Sequence, residues 1–174
     1  MAGSFTFGTP DWLEDVLLYG DTPLPGKFQG TPAVHVWGQT IEYDSRKEAL
    51  ARAAEIVHEE GGFYVGTLSA FSPEPEAYDE VPEILSARVI DINGDLSEIK
   101  WKTSAAEPVY FFNTNLPVYQ DYLRKQMYDL IDAGADAILV DEIEGTAGTI
   151  QRGGSFGERD MELFNDYLLE RYSA

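Results

Sequence analysis

The stretch from Val109 to Glu142, VYFFNTNLPVYQDYLRKQMYDLIDAGADAILVDE, constrains the fold most, because it reads as a strand, a helix and a second strand that ends in carboxylates. VYFF is a short β-rich apolar run. Asn115 is a good helix N-cap, and Pro117 fits a first helical turn, where its missing amide hydrogen has no partner to lose. Tyr119, Tyr122, Leu123, Met127, Leu130 and Ile131 recur at three- and four-residue spacing and so form one apolar stripe, and Gly134 supplies a left-handed stop. AILV, from Ala137 to Val140, is apolar on both faces. Such a strand belongs in a covered parallel sheet, and parallel sheets carry ligands at the carboxyl ends of their strands, where Asp141 and Glu142 fall. The plainer reading of these acids is that they cap the next element or close a loop on backbone amides.

The same alternation is visible earlier. Thr31 to Trp37 reads as a strand, and Ser45 to Glu60 as a helix with a capping box made by Ser45 and Glu48. Leu50, Ala53, Ala54 and Val57 form the core stripe of that helix, and Gly61 and Gly62 end it before a strand from Phe63 to Leu68. FSPEPEAYDEVPEI holds Pro73, Pro75 and Pro82 among five carboxylates and is expected to be an irregular excursion. ARVIDI and SEIKW then flank Asn93 and Gly94 as a β-hairpin with a primed turn. A last helix is expected from Arg159 to Tyr172, with Met161, Phe164 and Leu168 on its core face. The sum is an α/β chain of four parallel βα units, a single domain over 1–174 with the excursion and hairpin inserted at about 72–104. An eight-stranded barrel needs about 200–250 residues, so 174 residues make either an open α/β sheet or the first half of a TIM barrel.

Composition narrows the function. Acidic residues outnumber basic ones 31 to 12, giving a net charge of −19, which argues against nucleic acid and anionic membranes as partners. Dense carboxylates of this kind suit salty surroundings, where screening removes much of the self-repulsion. A hydrophobic content of 44% supports a real core, yet no apolar run is long enough to span a membrane. No basic start followed by an apolar stretch marks a secretory signal, so a cytoplasmic location is expected. The absence of cysteine excludes disulfides, thiolate metal sites and a cysteine nucleophile.

One resemblance carries further. FFNTNLP, followed by a helix and then DAGADAILVDEIEGTAGTIQRGGSFGERDMELFNDYL, resembles glycoside hydrolases and related barrel proteins of the α-galactosidase-like kind. Glu144-Gly145-Thr146, followed by Gly153-Gly154 and Phe156, is the less common part of that pattern. The resemblance implies that AILVD is the fourth barrel strand and that Asp141 stands at the nucleophile's place of a retaining glycosidase. Glu142 is then a hydrogen-bonding or second acidic residue, and the acid/base carboxylate, on a sixth strand, lies outside this chain. Retaining chemistry needs two carboxyl groups about 5 Å apart, one ionised and one protonated. Related sequences often carry cysteines where Ser155, Gly157 and Asp160 stand here, so any metal those cysteines hold has no counterpart in this chain.

The resemblance implies carbohydrate as the partner and no cofactor, with a second copy or a C-terminal half completing the sheet. His35 and Trp37 can bond a hydroxyl and stack on a sugar ring, although core packing is the simpler role for both. Asn113, Asn115 and Glu144 complete the candidate substrate contacts. Asp21 and Asp91 sit beside turn residues, and His58 lies near a helix end that favours a cation. Gly153 and Gly154 before the last helix are a weak anion-binding signal. Two other function classes compete with the hydrolase: a non-catalytic carbohydrate-binding or assembly half-barrel, and a small-molecule α/β enzyme with a divalent cation on oxygens of Asp141, Glu142 and Glu144.

Overall fold

The structure is a computed structural model, and it describes residues 4–7, 33–37, 43–59, 62–73, 76–100, 108–142, 149–150 and 153–172. The chain is α/β. Four strands, β1 (Ser4–Phe7), β2 (Ala33–Trp37), β3 (Phe63–Ser69) and β4 (Ala137–Asp141), form one sheet in the order β1-β2-β3-β4. β1 and β2 run parallel, with Ser4 opposite Ala33 and Phe7 opposite Val36. β2 and β3 also run parallel, with Ala33 opposite Phe63 and Trp37 opposite Thr67. The helices are α1 (Tyr43–Glu59), α2 (Glu76–Glu80), α3 (Pro117–Asp132) and α4 (Glu158–Tyr172), with a 3-10 helix over Pro82–Ala87. The chain divides into two compact units, Met1–Leu68 with Arg124–Asp141, and Ser69–Leu123 with Glu142–Ala174.

In the first unit, the expected stripe of α1 is buried throughout, at Leu50, Ala53, Ala54 and Val57. The helix begins at Tyr43, so Ser45 lies inside its first turn and is not the N-cap. Gly134, at φ 100°, ends α3: its amide donates to Ile131 and the amide of Ala135 to Leu130, the paired bonds of a Schellman stop. Gly66 brings β3 against α3 so closely that a β-carbon there would lie 2.8 Å from Leu130 Cδ2. Asp136 joins three elements. Its carboxylate accepts the Tyr64 amide at 2.9 Å and meets His58 Nε2 at 2.8 Å, and its own amide donates to the Tyr64 carbonyl. These bonds hold the Asp136 carboxyl below its ordinary range, the His58 contact contributing most.

The second unit departs from the sequence reading in four places. Val109 to Phe112 is not a strand of the parallel sheet; its place among the four is taken by β1. Instead Arg88 bridges Phe112, Ile90 bridges Leu96 and Glu98 bridges Tyr110, each in the antiparallel sense. The bonds form a closed ring, with the Val89 amide on the Phe111 carbonyl, Phe111 on Ser97 and Ser97 on Val89. Three segments cannot all run antiparallel to one another in one plane, so they cross, and each pairing ends at a single bridge. Phe71, Val89, Ile99, Val109 and Phe111 fill the resulting core. The hairpin is present, but its turn is a three-residue loop in which Gly94 alone takes positive φ, at 88°. Asp91 holds that loop by accepting the amides of Asn93 and Asp95, and these bonds lower its pKa.

The proline-rich excursion is more regular than expected, since α2 and the 3-10 helix bury Ala77, Ile84 and Ala87. Pro82 opens the 3-10 helix, where no amide bond is lost. α4 begins one residue earlier than expected and buries none of its residues. Met161 and Phe164, read as core, are exposed together with Tyr167, Leu169 and Tyr172. No helix among the described residues is long and apolar enough to cross a membrane.

Candidate functional site

Asp141 is the last residue of β4 and is exposed. Glu142 follows it with φ 56°, a left-handed conformation that non-glycine residues adopt at a cost of roughly 1 kcal/mol or more. That turn interrupts strand alternation, so Glu142 takes its own direction. Its Oε2 accepts a hydrogen bond from the hydroxyl of Ser69, the buried last residue of β3. The same hydroxyl oxygen accepts the Ser72 amide at 3.3 Å, which ties the chain leaving β3 to this pair.

Tyr119, in the first turns of α3, is fully buried, with its ring 5.0 Å from Phe112 and stacked at 5.7 Å on Tyr122. Its hydroxyl has no hydrogen-bond partner among the described residues. Burial pushes the phenol well above its ordinary pKa, and the charges of Tyr122, Tyr78 and Glu142 add to the shift, so Tyr119 remains a protonated donor.

A second polar group forms around Asp160, at the third position of α4. Oδ2 accepts the Asn113 amide at 2.6 Å and the Ser155 hydroxyl at 3.0 Å, while Oδ1 accepts the Asn115 amide at 2.9 Å. Asn113 Oδ1 in turn accepts the Asn115 backbone amide at 2.8 Å. Asn115 is therefore not the N-cap of α3. Leu116 takes that place, since its carbonyl accepts the amides of Tyr119 and Gln120. Ser155 reaches the carboxylate from a left-handed backbone, φ 75°. A carboxylate with three donors satisfies two asparagines and a serine that burial would otherwise strand.

The structure thus brings Asn113 and Asn115 together, on Asp160, and leaves Glu142 on Ser69. His35 and Trp37 lie on β2, where His35 is opposite Thr6 and Val65, and Trp37 is opposite Thr67. Glu144 and Asp21 lie outside the described residues. No group of three or more histidine, aspartate or glutamate residues able to hold a metal is found among the described residues. The sequence reading missed Ser69, Tyr119, Ser155 and Asp160 as members of these groups. For Asp160 the one local signal was an acid in the first turn of a helix after a glycine-rich loop.

No family model matches the chain. No curated protein matches it either. Its fold is similar to the crystal structure of a hypothetical protein from Ruminiclostridium thermocellum, with a TM-score of 0.57 and 17% sequence identity. That match covers 99% of this chain and 92% of the other, and at this identity it speaks for the fold alone.

Proposed function

We propose that the chain is a glycoside hydrolase-like protein built as the first four units of a TIM barrel, with Asp141 as the nucleophile position. The single observation that carries this reading is that Asp141 closes the fourth strand of a sheet ordered β1-β2-β3-β4. Doubly wound folds reverse their strand order at a switch point, whereas a barrel winds in one direction, so a sequential order supports barrel winding. Ligands of such sheets bind at the carboxyl ends of the strands. Asp141 is exposed there, as a nucleophile that meets a sugar must be. β4 stands at one end of the strand order of the described sheet, where a further strand can pair.

The test is turnover of a panel of aryl glycosides by the chain, alone and at concentrations that favour self-association. Hydrolysis that Asp141→Asn abolishes with the circular dichroism unchanged is the expected result. Hydrolysis that survives the substitution refutes Asp141 as nucleophile.

A binding-only protein is the second reading, and one observation favours it. Glu142, the second acid assigned to the site, accepts Ser69's hydroxyl. That oxygen, Oε2, is engaged by the protein's own hydroxyl and is not presented to a glycosidic oxygen, as an acid/base carboxylate must be. Saturable sugar binding with no turnover is the outcome that selects this reading.

A further inference from the structure

In the second unit, a cleft of about 280 Å³ is lined by Arg88, Val89, Ile90, Asn113, Leu116 and Glu158, with Asp160 and its neighbours closing one side. This volume lies just below the roughly 300 Å³ at which ligand pockets usually begin, so the occupant is small. Most polar groups of the cleft are already spent. Asp160 carries three donors, Asn113 donates to it and accepts from Asn115, Ser86 donates to the Glu83 carbonyl, and Arg159 pairs with Glu162 at 3.1 Å.

Two groups are not spent. Arg88 is half-buried and held at two points, with Nε on the Leu85 carbonyl at 2.9 Å and its guanidinium carbon 5.2 Å above the Tyr110 ring. Its terminal amino groups have no partner among the described residues, nor has the carboxylate of Glu158. What sets Arg88 apart is that its guanidinium is held in place at the cleft while no carboxylate among the described residues pairs with it. The fork is pre-organised to bond an incoming oxygen pair.

The charge of the lining selects among ligands. Arg88 and Arg159 face Glu158, Asp160 and Glu162, so the cleft has no positive excess to hold a phosphate or carboxylate against a chain of −19. An amino acid zwitterion would match the two free groups but must give up the hydration of two full charges, which hydroxyls do not. A vicinal diol accepts from Arg88 and donates to Glu158, and Val89, Ile90 and Leu116 offer an apolar wall for the C–H face of a ring.

We infer that this cleft binds a neutral polyhydroxylated ligand of monosaccharide size through Arg88 and Glu158. The choice of sugar leans on the carbohydrate reading above, while the site is independent of Asp141. The test is titration calorimetry of the full chain with glucose, galactose and mannose, and with glycine, glucuronate and inorganic phosphate as counter-probes. The expected result is saturable binding of at least one neutral hexose, about tenfold weaker in Arg88→Gln and in Glu158→Ala and unchanged in Asp141→Asn. Glu158 is exposed in the first turn of α4, so its substitution leaves the fold intact should Arg88→Gln disturb the Tyr110 contact. Absence of hexose binding, binding that survives Glu158→Ala, or preference for glycine, glucuronate or phosphate overturns the inference. Hexose binding at this cleft without glycoside turnover selects the binding-only reading and leaves the cleft standing.

Discussion

Replacing Gly66 by alanine tests the closest strand-to-helix approach in the first unit. The added β-carbon would lie 2.8 Å from Cδ2, 3.0 Å from Cβ and 3.1 Å from Cδ1 of Leu130. Carbon atoms prefer about 3.5–4.0 Å, so each contact is short by roughly half an ångström or more. Rotating Leu130 relieves two of them and not the third, because its Cβ is fixed to the α3 backbone. Overpacking of this kind costs roughly 1–3 kcal/mol, and alanine returns about 0.5–1 kcal/mol over glycine in a strand, leaving a net loss centred on about 1 kcal/mol. At about 2–4 °C per kcal/mol for a chain of this size, the thermal midpoint falls by several degrees. Urea unfolding followed by far-ultraviolet circular dichroism at fixed salt measures it. Leu130→Ala removes both Cδ atoms, so the glycine substitution must cost less in that background, with a coupling of about 0.5 kcal/mol or more. A neutral or stabilising Gly66→Ala, or strict additivity with Leu130→Ala, refutes the packing argument.

Three further outcomes follow from the structure. Asp160→Ala leaves the donors of Asn113, Asn115 and Ser155 without their acceptor and should cost about 2–3 kcal/mol in urea midpoint analysis; a loss under about 0.5 kcal/mol would show that water replaces the carboxylate. The carboxyl of Asp136 has a lowered folded pKa, so its contribution is complete above the unfolded aspartate value of about 3.9 and is lost as pH falls through the folded value. Its side chain is 34% exposed, which limits that contribution to about 1 kcal/mol, and Asp136→Asn should flatten the acid limb of the stability profile below pH of about 4. A profile as steep as that of the parent chain would contradict this. Sodium chloride should raise the thermal midpoint strongly, because screening relieves the repulsion of a −19 chain, and a flat response would show that the acidic surface is not under strain.

Helices were legible wherever a 3.6-residue stripe met a glycine stop. Leu50, Ala53, Ala54 and Val57 are buried as their spacing requires, and Gly134 ends α3 through geometry that only its positive φ permits. Strands were less legible, because periodicity reports burial and not partnership. VYFF is apolar on both faces whether it enters a parallel sheet or a three-way antiparallel crossing, and its partners, Arg88 and Glu98, lie well outside its own window. β1, with four residues in which serine and threonine alternate with phenylalanine, is too short for any window to separate from a loop. The apolar stripe of α4 was read correctly as a stripe, but exposure of Met161 and Phe164 depends on what lies opposite, which no local pattern encodes.

The site shows the same division more sharply. Asp141 and Glu142 were singled out because chain direction alone places them at the carboxyl end of a strand, yet the partner of Glu142 is Ser69, 73 positions away in the chain. Asn113 and Asn115 were singled out as ligand contacts, and their spacing does carry meaning: one asparagine turns the backbone onto the other, and both amides then point the same way. What they point at is Asp160, 47 and 45 positions on. An asparagine pair aimed at a sugar and a pair aimed at an internal carboxylate have the same sequence, and only the fold supplies the acceptor. Arg88 inverts the case. It looks like an ordinary hairpin residue in ARVIDI, and it becomes notable only because the fold holds its guanidinium on Leu85 and Tyr110 while no carboxylate among the described residues pairs with it. In a chain this acidic, a guanidinium held in place at a cleft with no carboxylate on it among the described residues is a stronger pointer to a ligand than a carboxylate, since carboxylates are the common charged group here.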